Sequence, residues 1–292
     1  MPNVSTRIAD KVTSQTVQLL RVEASLREQI LSDLNTLESD LIDDLSRAAG
    51  KSDLSLARLQ ALLAQTRATI NTAYDNIAVS FTPALKEVAI AIARKTIEGV
   101  NAVVRVELMS VGMTKEQIEY IAGKTVIEGH IQAKWWASQA TSLRNKFAQQ
   151  MRQGQYRGEG VDELVRRVRG TKANGFTDGV MNAPRYQAEA LVRTGVMSVA
   201  NESKLASYLN NRDVVRAVEW IATLEDTKTC EVCRELNGKI WRLPETGDKD
   251  SDYIPEGHNL PFPGGIAHFN CRCVVVPITY SFKELAAMEA SA

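Results

Sequence analysis

The sequence predicts an α+β protein: an elongated N-terminal α-helical region followed by a small mixed α/β C-terminal domain with a loop pinned by cysteine and histidine. Three observations carry that reading. Up to about residue 150, apolar residues recur at three- and four-residue steps, the period of a helix face. Prolines are sparse up to Pro184, and then Pro244, Pro255, Pro261, Pro263 and Pro277 punctuate the last third, which marks a change to loops and strands. All four cysteines lie in that last third, as Cys230-Glu231-Val232-Cys233 and Cys271-Arg272-Cys273. The glycines Gly154, Gly158 and Gly160 read as a mobile linker, dividing the chain into a helical bundle or arm over 1–155 and a second domain over 156–292.

Taken in order, residues 5–48 form one long helix or two in series. Leu20, Ala24, Leu31, Leu34, Leu37, Leu41 and Leu45 line one side, and Glu23, Arg27, Glu28, Asp33, Asp40 and Asp44 read as the solvated face opposite. Gly50 suits the left-handed position after its C-terminus. Ser52 or Asp53 caps the next helix, whose stripe of Leu59, Leu62, Leu63, Thr66, Ile70, Ile77 and Phe81 ends where Pro83 lacks an N–H to continue it. A third helix runs from about Ala84 to Ser110 and ends near Gly112. Thr114-Lys115-Glu116-Gln117 is a capping box opening a fourth helix, which reaches about Gln150 and is interrupted at Gly123 or Gly129. Adjacent Trp135 and Trp136 cannot share a helix face, so one belongs to the core and the other to the surface.

The second half is more broken. Residues 161–168 form a short helix, residues 170–183 a loop, and Pro184 sits in the first turn of a helix that buries Leu191, Val192, Val196 and Val199 and ends near Asn210. Residues 214–222 have the β-branched content of a strand that leads to Asp226, whose carboxylate is placed to cap the turn holding Cys230. Asn237-Gly238 predicts a type I′ hairpin turn between short strands. Residues 244–266 read as a long loop, Val274–Val276 as a returning strand, and the end of the chain as a short amphipathic helix.

Composition bounds the function. Thirty-five basic residues balance thirty-five acidic ones, so no global field draws the chain to nucleic acid, and any such contact must come from a local patch. No apolar run approaches the roughly 20 residues that span a bilayer, so no membrane partner is expected. The start of the chain carries no apolar signal segment, which argues for a protein made in a reducing cytoplasm and against disulfides.

Four thiols grouped as Cys-x-x-Cys and Cys-x-Cys, with His268 three residues ahead of the second pair, suit a tetrahedral structural zinc site. Cys230, Cys233, Cys271 and Cys273 make one shell, and replacing Cys271 or Cys273 by His268 makes another. Paired disulfides, a thioredoxin-like redox pair and buried cysteines without a metal are the competing readings. A zinc hydrolase is a further alternative, with His258 and His268 joining the cysteines around a metal that keeps an open position for water. Between Arg144 and Lys172 the local balance is basic, and Arg144, Arg166, Arg167 and Arg169 are the candidates for contacts to DNA phosphates.

The run Trp220 to Cys233, then Leu236-Asn237-Gly238, Pro261 to Pro263 and His268-Phe269-Asn270-Cys271-Arg272-Cys273, resembles the C-terminal domain of the phage Mu F-like minor head proteins. Ala190 to Val196, followed by Ala200-Asn201, is similar to the helix that precedes the cysteine region in that family, although Gly195 stands where an acidic residue is frequent. The resemblance covers about residues 160–278. It implies a non-enzymatic minor capsid protein of the virion, made in the host cytoplasm, acting in head morphogenesis and in DNA packaging or ejection. The partners it implies are the portal protein, the major capsid protein or scaffold and double-stranded DNA; self-association through the N-terminal helices is left open by their apolar stripes.

Overall fold

The computed structural model describes residues 4–49, 54–124, 126–127, 130–222, 229–245 and 252–290. The predicted α+β class holds: a long helical region is followed by a small four-stranded antiparallel sheet. The expectations for Gly50, Ser52, Asp53 and Asp226 fall outside the described residues.

The first helix, α1 (Val4–Ala49), is continuous. The second, α2 (Leu56–Val104), runs straight through Pro83, where a break was expected. A proline in a helix leaves the carbonyl four residues back without its donor; here that residue is Val79, 73% exposed, so water can serve it. The helix ends at Val104 rather than near Gly112, because Arg105 takes a left-handed conformation (φ 63°). Asn101 then secures the exit: its Oδ1 accepts from the amides of Leu108 (3.0 Å) and Met109 (2.8 Å), and its amide donates to the Met109 carbonyl (2.8 Å). An 18-residue stretch of α2 has mean hydropathy 1.3 and meets the length and composition of a membrane span, against the sequence expectation; 39% of it is buried within the protein.

The predicted capping box opens α3 (Lys115–Lys124): Gln117 N–H donates to Thr114 Oγ1 (3.2 Å) and Thr114 N–H to Gln117 Oε1 (2.9 Å). Two short strands, β1 (Val126–Ile127) and β2 (His130–Ile131), then separate it from α4 (Gln132–Tyr156), so the fourth helix is interrupted as its glycines suggested. The short α5 (Val161–Arg169) and long α6 (Asn182–Asn210) follow. The sheet has the order β5-β4-β3-β6, from β3 (Val215–Ile221), β4 (Ile240–Arg242), β5 (Ile254–Glu256) and β6 (Val274–Thr279). Between β3 and β4 lies α7 (Glu231–Leu236), and α8 (Phe282–Glu289), capped by Ser281, closes the chain.

Contacts divide the chain into two compact units. One is built from 1–23, 83–128 and 194–292, the other from 24–82 and 129–193. The glycines near 155 lie inside the second.

In the first unit the core gathers Ile8, Val12 and Val100 with Leu205 and Tyr208 of α6 and the inner faces of the sheet, including Trp220 and Trp241, both fully buried. A register shift between Val215 and Ala217 on β3 turns Val215 onto the same core as Val218 and Trp220, which strict alternation would forbid. The predicted hairpin at Asn237-Gly238 is instead a helix-to-strand turn, since α7 and not a strand precedes it. Asn237 (φ −60°, ψ 127°) and Gly238 (φ 74°) have the signs of a type II turn, closed by Lys239 N–H to Leu236 C=O at 3.0 Å.

In the second unit Trp136 is the core tryptophan, packed edge-on to Phe81 (5.6 Å between ring centres) and tilted on Tyr74 (6.4 Å), while Trp135 is half-buried. The polar face expected of α1 is partly inside: Asp44 is buried and accepts from Arg47 (2.5 Å) and Thr69 (3.1 Å), and Glu38, which had no assigned face, is buried as well. In the first unit Glu23 is likewise buried. The expected linker is a packed turn. Gly154 lets Leu164 of α5 approach α4, and Gly158 takes φ 67° to start the turn. Glu159 then accepts two hydrogen bonds from Arg167 (2.5 and 2.6 Å), which hold its carboxyl below the usual range.

The loop after α5 is tied by Asp178, which accepts from the Thr171 amide (2.7 Å), the Thr171 hydroxyl (2.8 Å) and the Asn174 amide (2.9 Å) and is lowered to about 2 by these bonds. Gly179 closes it so tightly that a Cβ would stand 2.4 Å from the Arg169 carbonyl carbon. The crowding atoms are the Arg169–Gly170 peptide backbone, which cannot yield, so Gly179→Ala is expected to cost about 2–3 kcal/mol of stability, read by denaturant unfolding. A loss under about 0.5 kcal/mol would show that the loop is looser than this packing.

Candidate metal centre

Two segments of the first unit meet at the cysteines. The first starts from β3: Ala222 N–H donates to Asn237 Oδ1 (2.9 Å) and Gly238 N–H to Trp220 C=O (2.8 Å), so the strand end and the end of α7 are held together. Cys230 is the N-cap of α7, its sulfur accepting from the Cys233 amide at 3.4 Å. One helical turn therefore brings both sulfurs to the same side.

The second segment is positioned by α6. Thr194 Oγ1 accepts the Asn270 amide (2.9 Å), where Asn270 adopts a left-handed φ of 64°. The Cys271 amide returns to the His268 carbonyl (3.2 Å), closing a turn that carries the histidine ring and the thiol together. Asn201, fully buried on α6, donates to the carbonyls of both Gly265 (2.8 Å) and Cys273 (2.9 Å), and the Gly265 amide donates to Glu202 (3.0 Å). These three α6 residues orient the ligands. The sequence marked Asn201 only through the Ala200-Asn201 pair of the family resemblance, and not the carbonyls that it holds.

All five predicted metal residues come together in two overlapping groups. Cys230, Cys233 and His268 form one, and Cys233, Cys271 and Cys273 the other, with the potential ligand atoms of each group within 4.8 Å of one another. Cys233 is common to both. His268 Nε2 lies 3.1 Å from Cys230 Sγ and 3.0 Å from Cys233 Sγ, and Cys233 Sγ is 3.8 Å from Cys271 Sγ. The four cysteines are free thiols, which sets aside the disulfide reading.

The protons are unevenly held. Cys271 is lowered to about 5, first by the hydrogen bond from the Cys273 thiol and then by backbone hydrogen bonds and the nearby His268, against its burial. Cys233 is pushed up to about 12 by burial and by the charge of Cys271, and Cys273 is raised by its hydrogen bond to Cys271. A cation among these sulfurs would favour the thiolate at each of them. His268 Nδ1 is 2.6 Å from the Phe269 carbonyl; donating there leaves the Nε2 lone pair facing the sulfurs.

His258, the extra ligand that the hydrolase alternative requires, is engaged elsewhere. Its Nδ1 accepts the Leu260 amide (3.2 Å), its Nε2 donates to the Ile240 carbonyl (2.9 Å), and its ring stands edge-on to Trp241. With Trp241 Nε1 on the Leu260 carbonyl (2.9 Å) and Tyr253 stacked on Phe262, it folds the long loop over the sheet.

Of the predicted DNA contacts, Arg144 is hydrogen-bonded to Asn71 (2.8 Å) and Thr141, and Arg167 to Glu159 and Gln150. Arg166 and Arg169 remain half or more exposed, with Glu163 at 3.6 Å and Glu38 at 3.1 Å.

Residues 145–276, just under half of the chain, match the family model described as Phage Mu protein F like protein. The match takes in both cysteine pairs, His268 and the α6 residues that position them. No curated protein and no solved structure matches the chain significantly.

Proposed function

We propose, from the match of residues 145–276 to the Phage Mu F-like family model, that the protein is a bacteriophage minor head protein that acts in head morphogenesis at the portal vertex. It is a structural component and not an enzyme, and it is carried in the virion after assembly in the host cytoplasm. Its direct partner is the portal protein, with the major capsid protein or scaffold as neighbours. The observation that carries this reading is the family match, centred on the region where α6, the sheet and the cysteine cluster are held together.

The cluster is proposed to hold one structural zinc ion. Tetrahedral zinc with Zn–S bonds of about 2.3 Å sets its sulfurs about 3.8 Å apart, the separation found between Cys233 and Cys271. The sulfur–nitrogen edge of the same shell is about 3.5 Å, so His268, at 3.0 and 3.1 Å, would withdraw slightly to admit the ion. Five donors for four positions leave no need for water as a ligand. This supports a closed, structural site over a hydrolytic one.

The test is co-expression of the tagged chain with the portal protein of the same phage. A stable complex sedimenting with the portal ring is expected. Recovery of the chain in mature virions with no affinity for isolated portal would place its contact elsewhere and refute the portal assignment.

A further inference from the structure

We propose that the surface depression between α5 and the 170–179 loop is a binding site for single-stranded DNA, with Arg166, Arg169 and Lys172 on the phosphates and Phe176 stacked on a base. The site belongs to the second unit. It stands independently of the zinc ion and of the portal contact.

The depression measures about 520 Å³ and is lined by these four side chains together with Asp162 and Thr171. Phe176 is the telling residue. Its φ of 64° is unfavourable for a bulky side chain, yet the residue is 46% exposed. The strain is maintained by the Asp178 hydrogen bonds and by the close approach of Gly170 and Gly179. A loop built rigidly to hold an aromatic ring in water is a feature that packing alone does not account for.

The cations beside the ring are available. Arg169 donates to Glu38 through Nε alone, which leaves its terminal nitrogens for a ligand, and Glu38 is shared with Arg185. Arg166 faces Glu163 at 3.6 Å, beyond a hydrogen bond, and its side chain is 61% exposed. Lys172 is exposed. Asp162 is the remaining carboxylate in the lining, and it sets the side from which a phosphate would avoid approaching.

An acidic peptide would use the cations and leave the ring idle. A single strand uses both, because every unpaired base offers a π-face and every linkage a phosphate. Duplex DNA presents its phosphates but keeps its bases stacked inside.

The experiment uses the full, zinc-loaded chain and a fluorescent oligothymidylate of about 15 nucleotides. Anisotropy is followed from low to moderate salt, with a duplex of equal length and poly-glutamate as competitors. Salt-sensitive binding is expected. Phe176→Ala should weaken it about tenfold with an unchanged salt slope, and Arg166→Glu with Lys172→Glu should lower that slope by about 1.4, or about 0.7 per lost contact. Phe176→Gly relieves the backbone strain, so it should fold as stably as the parent and still bind weakly, which separates a lost contact from a lost fold. The proposal fails if the strand does not bind at low salt, if Phe176→Ala binds normally, or if poly-glutamate or the duplex competes as well as the strand itself.

Discussion

Cys233→Ser is expected to abolish zinc binding outright, because Cys233 alone belongs to both ligand groups. No four-member shell drawn from the remaining donors spans the two segments as closely: its sulfur is the one within 3.0 Å of His268 and 3.8 Å of Cys271. The stability lost with the metal should be on the order of 3–5 kcal/mol, less than in zinc-finger peptides, since Trp220, Trp241 and the β3–β6 ladder hold the unit as well. Metal analysis beside denaturant unfolding reads both quantities, and chelation of the parent protein should reproduce the variant. Cys273→Ser and His268→Ala then identify the fifth donor: the one whose variant keeps a full equivalent of zinc lies outside the shell. Zinc retained by Cys233→Ser would remove the basis for a shared site.

Lys204→Met is expected to stabilise the protein. Lys204 lies on α6, 1% exposed, and its ammonium finds no hydrogen-bond partner among the described residues. Burial lowers its pKa from 10.5 to about 7. Between those values the unfolded chain carries the extra proton, so stability rises with pH across the window and the slope approaches 1.4 kcal/mol per pH unit. Methionine has similar length without the charge, and the gain should be on the order of 3–5 kcal/mol at pH 7, shrinking to about 1 near pH 9.5. Unfolding curves of parent and variant at pH 7, 8 and 9.5 provide the check. Parallel slopes in the two proteins would show that the ammonium is solvated.

Much of this was legible in the chain because it depends on neighbours in sequence. The three- and four-residue apolar spacing in α1 and α2, the Thr114–Gln117 box and the Cys-x-x-Cys turn are local patterns with local causes. The errors arose where local rules met distant partners. Pro83 should have ended a helix, but packing of Leu85, Ala89 and Ile92 on one side of it and Ile77 and Phe81 on the other keeps α2 in register. Asp44 should have faced water, but Arg47 and Thr69 receive it. Gly154 signalled a linker and serves instead as a seat for Leu164.

The cysteine and histidine positions were readable as metal donors from the sequence by itself, since ligand chemistry and short spacings are properties of residue type and chain geometry. Which of them share one point, that Thr194 and Asn201 hold them there, and that Arg144 and Arg167 are spent on internal bonds while Phe176 faces water, was decided by the tertiary structure. The reason is physical. A side chain's identity sets what it can bind, but its availability depends on which groups, tens of residues away, already satisfy it.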